Sequence, residues 1–196
     1  MCKLKSMIVL KDRIYCPDHE SHQQMLEELG IKDDYLGASK TFVRVEVSPD
    51  NDDITIPVDD WQINVDQDIT PDWFDAGEYR ERIYETVKAW AAEHIHNSGV
   101  VEISSGIHFA CGSAAVKACD SATVEACGSA TVEAWGSATV KARGSATVVE
   151  SIYWVLRVAP VLSDNATYKC NHTKTIYQAG DGWTFVEAEK EVTTTT

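Results

Sequence analysis

Gly112-Ser113-Ala114-Ala115-Val116-Lys117-Ala118-Cys119 is followed without a break by Asp120-Ser121-Ala122-Thr123-Val124-Glu125-Ala126-Cys127, and further copies of the same octapeptide start at Gly128, Gly136 and Gly144. A short fixed period of this kind belongs to stacked repeats rather than to a closed globular unit. Small apolar residues hold positions three and five of every copy and position seven of the first four. One strand face is therefore small and apolar, while Ser, Thr and Lys or Glu point the other way. The interior that such strands enclose is thin. Gly or Asp at position one supplies the backbone freedom of a corner, because both tolerate positive φ better than most residues.

Charge fixes the number of octads per coil. Position six reads Lys117, Glu125, Glu133 and Lys141, and equivalent side chains of successive parallel coils stack about 4.8 Å apart, where like charges repel. Two octads per coil set Lys117 on Glu133 and Glu125 on Lys141; three would set Lys117 on Lys141, and one is too short to close around a core. The expectation is a flattened two-sheet β-solenoid of about 16 residues per coil, two to three coils deep, in which each valine contributes roughly 1.5–3 kcal/mol by burial. Bare ends would template aggregation. The candidates to cover them are a helix over Asp75 to His94 and the carboxy-terminal region.

On either side the repeat gives way to ordinary patterning. Residues 1–98 read as an α+β head. It has a hairpin across Lys11-Asp12, a short helix capped at Ser21 and ended by Gly30, half-buried strands over Thr41 to Val47 and Trp61 to Val65, and an amphipathic helix with Tyr79, Ile83, Val87, Trp90 and Ala91 on one face. Residues 99–149 are the solenoid. Residues 150–192 read as a β-rich cap with strands over Ile152 to Val158, Tyr168 to Tyr177 and, after a Gly180-Asp181-Gly182 turn, Trp183 to Val186. Asp164 to Cys170 looks like a degraded octad with a larger core residue, and Thr193 to Thr196 like a frayed tail.

Composition narrows the function. The 196 residues carry a net charge of -14, which disfavours direct binding to a phosphate backbone. The longest apolar run near the start, Met7 to Leu10, is too short for a secretory core or a membrane span. A cytoplasmic protein with reduced thiols at its six cysteines is expected.

Pro17-Asp18-His19-Glu20-Ser21-His22 before a short helix, then Val65-Asp66-Gln67-Asp68 followed by Pro71-Asp72-Trp73-Phe74, then simple repeats, resembles a set of phage- and bacterium-encoded proteins. In those, a similar head precedes an octapeptide solenoid or leucine-rich repeats. Relatives often show Asp-Ser-His where this chain has Glu20-Ser21-His22. The resemblance implies a mobile-element origin and supplies no mechanism.

Several residue sets carry candidate chemistry. Cys16, His19 and His22 are spaced three apart and form a thiolate–imidazole set that zinc or another divalent cation would accept, with no declared fourth ligand; a turn followed by a helix cap explains the same residues. Between Val45 and Tyr79 stand eleven acidic residues and no Lys or Arg. They read as turn and cap aspartates, as a surface for a protein partner, as a cation site, or as an imitation of nucleic-acid phosphates. Asp66, Asp68 and Asp72 with Trp73 and Phe74 are the head's candidate binding residues. Trp135 and Arg143 break the outward position eight and are candidates on the solenoid. Cys111 and Cys127 stack there too, in a ladder geometry poor for a disulfide. No nucleophile, base and oxyanion set can be assembled, and no phosphate-binding glycine loop is present. The reading that follows is a binding protein that engages a macromolecular partner through its acidic, aromatic head, with inhibition of a host factor as the expected consequence and the solenoid as a rigid scaffold that can self-associate through its ends or faces. The alternative is a metal-dependent enzyme with its site around Asp18, His19, His22, Asp66, Asp68 and Asp72.

Overall fold

Lys5–Leu10 (β1) and Ile14–Tyr15 (β2) form the hairpin expected across Lys11-Asp12, closed by the Leu10 N–H donating to the Arg13 carbonyl at 2.8 Å. The computed structural model describes residues 4–32, 41–179 and 184–187, and the chain divides into two units, Met1–Glu93 and His94–Thr196. In the first, His22–Glu28 (α1) starts where Ser21 Oγ accepts the Gln24 N–H at 3.3 Å and ends before Gly30 at φ +67°. The Gln24 side chain turns forward to Glu28 at 3.0 Å, so the cap is one-sided.

Phe42–Ser48 (β3) and Gln62–Val65 (β4) complete an antiparallel sheet of order β2-β1-β3-β4. Ala76–His94 (α2) is capped by Asp75, whose Oδ1 accepts the N–H groups of Gly77 and Glu78 at 2.8 and 3.0 Å. Its expected apolar face is buried throughout. Met25 and Leu26 of α1 pack on Ile8, Leu10 and Phe42. Lys5 projects to the other face, where its ammonium lies 5.0 Å from the Trp90 ring of α2. The Tyr79 and Tyr84 hydroxyls donate to the Lys11 and Trp61 carbonyls at 3.0 and 2.6 Å. With a helix on each face, β3 is buried at every position but Arg44, a correction to the half-buried strand that alternation suggests.

In the second unit, Ile95–His96 (β5), Val100–Ile103 (β6), Ile107–Ala110 (β7), Ala115–Ala118 (β8), Thr123–Ala126 (β9), Thr131–Ala134 (β10), Thr139–Ala142 (β11), Thr147–Glu150 (β12), Val161–Leu162 (β13) and Thr167–Cys170 (β14) alternate between two parallel sheets. Val116, Val132 and Val148 stand in register in one sheet, and Val124 and Val140 in the other. With the alanines of positions three and seven they form a continuous buried core. This is the expected two-octad coil. Lys141 meets Glu125 at 2.9 Å. Lys117 lies between Glu102 and Glu133 and hydrogen-bonds Glu102 at 3.0 Å, which raises its pKa. The corners have positive φ where the repeat requires it, at Asp120 (+50°) and Asp164 (+55°) as well as at the glycines. Gly112 is also needed for space, since a Cβ there would stand 2.7 Å from the Asn97 carbonyl oxygen.

Three expectations are corrected. The stack is deeper than two to three coils, because β5 to β7 precede the first octad and β13 and β14 follow the last. Ile152 to Val158 is a loop rather than a strand: the chain leaves the sheet after Glu150 and returns at Val161. Tyr168 to Tyr177 is two strands, β14 and Thr175–Gln178 (β15), separated by a turn at Lys174 (φ +58°). Thr184–Glu187 (β16) then pairs antiparallel with β15 and closes that sheet. The Gly180 to Gly182 turn and the 193–196 tail lie outside the described residues. Among the described residues, no helix is long and apolar enough to cross a membrane.

Candidate functional site

Glu150 occupies position seven of the last octad, where earlier copies have alanine, so its carboxylate enters the solenoid interior and is 2% exposed. It accepts the Leu156 N–H at 3.0 Å, the His172 N–H at 3.2 Å and the Cys170 thiol at 3.0 Å. Burial pushes its pKa up, but these bonds outweigh burial and hold it below the usual carboxylate range. The inward charge ends the octad pattern and gathers the loop around itself. Glu150→Ala is expected to orphan the buried Leu156 N–H, worth roughly 1–3 kcal/mol, and to release the loop, read as faster amide exchange at Leu156. Because the folded pKa is depressed, this support is present at neutral pH and fades as pH falls through the folded value.

The loop is fixed at its centre. Leu156 is buried in the solenoid core, the Gly136 N–H donates to the Val155 carbonyl at 3.0 Å, and the Arg157 N–H donates to the Gly136 carbonyl at 2.8 Å. Outside this anchor, Ile152, Tyr153, Trp154 and Val155 are 68, 81, 67 and 53% exposed, with Val158 and Val161 exposed further along. An unbroken apolar run reads as a buried strand. Glu150 in an alanine slot is the sequence signal that the run lies outside the sheet.

The solenoid residues singled out by the repeat do not share an edge. Trp135 follows the corner of Cys119 and Ser151 and is half-buried; Arg143 follows the corner of Cys111 and Cys127 and is exposed. At that corner Cys111 and Cys127 are buried rather than outward, and their sulfurs lie 2.7 Å apart, closer than the expected ladder geometry.

In the head, part of the acidic stretch serves turns, caps and ion pairs. Asp53 accepts from the Thr55 N–H and hydroxyl, Asp50 from Gln62, and Asp59 pairs with Lys88. Asp18, Asp68 and Asp72 are exposed. Trp73 and Phe74 are half-buried in a cluster with Tyr79, at centroid distances of 5.3–6.1 Å. Burial pushes the Cys16 thiol up to about 11, which keeps it protonated. His19 Nε2 lies 3.0 Å from Glu28, and bonds from His19, Tyr15 and Gln24 hold the Glu28 carboxyl down at about 2.

The structure does not bring Cys16 or His19 to the donor group at His22. His22 Nδ1 lies 3.4 Å from Asp66 and its Nε2 lies 3.3 Å from the Val45 carbonyl oxygen. Glu46 is the third member: donor atoms of His22, Glu46 and Asp66 all lie within 4.8 Å of one another. Sequence reasoning misses Glu46 because it reads as the solvent-facing residue of an alternating strand. Only α1 lying over that face buries it. Compared with known proteins, the chain matches no family model, no curated protein and no solved structure.

Proposed function

We propose that the chain is a binding protein that engages a protein partner through the apolar loop of its solenoid. The observation that supports this most is the run Ile152-Tyr153-Trp154-Val155, held out to solvent on an anchored frame. Contiguous exposed apolar surface marks interaction sites, and Trp and Tyr dominate binding hot spots. A loop fixed by Leu156 and Glu150 loses little conformational freedom when it binds. The net charge of -14 adds a long-range field, so the fitting partner has a basic surround about an apolar pocket. The head's resemblance to phage- and bacterium-encoded proteins supports a host factor in that role, and inhibition as the consequence.

Tyr153→Ala/Trp154→Ala tests this. Immobilised wild-type chain is expected to retain a basic protein from a host extract, and the double variant to lose it while melting as the wild type does. Each hot-spot residue should account for roughly 2 kcal/mol or more. Retention should survive added salt, whereas an imitation of nucleic-acid phosphates would be screened and released. Equal retention by the double variant would remove the loop from this role. A wild-type dimer that the double variant abolishes in sedimentation would make a second copy of the chain the occupant.

A further inference from the structure

From the head we infer a second site, independent of the solenoid loop: His22, Glu46 and Asp66 bind one divalent transition-metal ion. The three side chains come from the start of α1, the middle of β3 and the residue after β4, and their donor atoms converge within 4.8 Å. Acidic groups often meet without a cation, so the inference rests on two further observations. Glu46 is only 8% exposed, and the Asp66 carboxylate lies within reach of its own, a repulsion that a cation between them relieves. Directly across the ladder, Ser6 stands in register with Glu46, is fully buried, and its hydroxyl has no hydrogen-bond partner. An unanswered hydroxyl thus shares one sheet face with the Glu46 carboxylate, beside an imidazole.

The ring orientation fits ligation. With Nε2 lying 3.3 Å from the Val45 carbonyl oxygen, His22 turns Nδ1 toward Asp66 at 3.4 Å, and a metal-bound histidine is commonly oriented by such a backbone acceptor. A divalent ion at this point answers both carboxylates. One imidazole with two carboxylates suits Mn2+ or Zn2+ better than Ca2+ or Mg2+, which prefer all-oxygen sites. Three protein ligands leave coordination positions for water, with Ser6 Oγ on the same face to hold one.

Mn2+ is the probe of choice because the solenoid's soft thiols compete poorly for it. Full-length chain, stripped with chelator, is titrated while the electron paramagnetic resonance signal of free Mn2+ is followed. One ion per chain is expected, with affinity lowered about tenfold or more in Glu46→Gln and Asp66→Asn and unchanged in Asp12→Asn, an exposed residue of the first hairpin. Thermal melts establish that each variant is folded. Should Glu46→Gln fail to fold, Asp66→Asn decides, since that side chain is 53% exposed and carries no core packing. Absence of saturable binding would mean that a His22 imidazolium paired with Asp66 accounts for the cluster, and would overturn the inference. Binding that both variants retain at full strength would overturn it as well.

Discussion

Val132→Asp is expected to unfold the solenoid, whereas Thr131→Asp, one residue earlier, leaves it folded. Val132 is fully buried, in register between Val116 and Val148 at the centre of the larger sheet. Its removal forfeits roughly 1.5–3 kcal/mol of burial, and the carboxylate that replaces it enters an interior made of alanine and valine side chains with nothing to pair with. An unpaired buried charge costs several kcal/mol more. The sum approaches the roughly 5–15 kcal/mol by which a whole domain is stable. Thr131 is exposed, and aspartate there costs only a strand preference within a range of about 1 kcal/mol. Urea unfolding followed by circular dichroism reads both. A flat loss across the two positions would mean that the strand does not alternate between core and solvent, and the coil would have to be redrawn.

How far the fold was legible follows from the same alternation. Where the octads spell valine between alanines, the sequence states the coil, its register and even its corner conformation at Asp120. It falls silent just upstream, because β7 sets His108 in register with Val124. The rings of His94 and His96 lie 5.2 and 5.4 Å from that of His108. His108 stands where later coils have valine and His96 where they have alanine, and no aliphatic period marks them. The loop was misread for the opposite reason: Ile152 to Val155 have strand composition, and only the hydrogen bonds of Glu150 show that the sheet has already released the chain. In the head, His22 and Asp66 were among the candidate residues, yet their meeting depends on how α1 crosses β3. That crossing is set by Met25 and Leu26 packing on Ile8 and Phe42, a tertiary contact with no local spelling. Glu46 was invisible without it.

Glu20→Ala is expected to destabilise the head strongly, and a compensated double variant to restore it. Glu20 precedes the α1 cap and reaches back to β1, where it accepts the Ser6 N–H and pairs with the Lys5 ammonium at 2.8 Å. The Lys5 side chain is fully buried and Glu20 is 28% exposed. Lys5 also donates to the Pro17 carbonyl at 2.5 Å and lies against Trp90, so the pair ties together the β1 strand, the segment before α1 and the α2 helix. Truncating Glu20 leaves an ammonium with no counter-ion among apolar groups, a loss of roughly 3–5 kcal/mol for a buried pair, nearer the lower figure here because water reaches the carboxylate. Replacing both partners by apolar residues removes the stranded charge along with the pair, so Lys5→Met/Glu20→Leu should recover most of the stability. Glu20→Asp keeps the charge and should lose less than the alanine variant. Chemical denaturation of the three variants and the wild type makes the comparison. A Glu20→Ala midpoint equal to wild type would show that the ammonium finds its counter-charge elsewhere; a double variant no better than Glu20→Ala would show that the pair's geometry, rather than its charge balance, holds the layers in place.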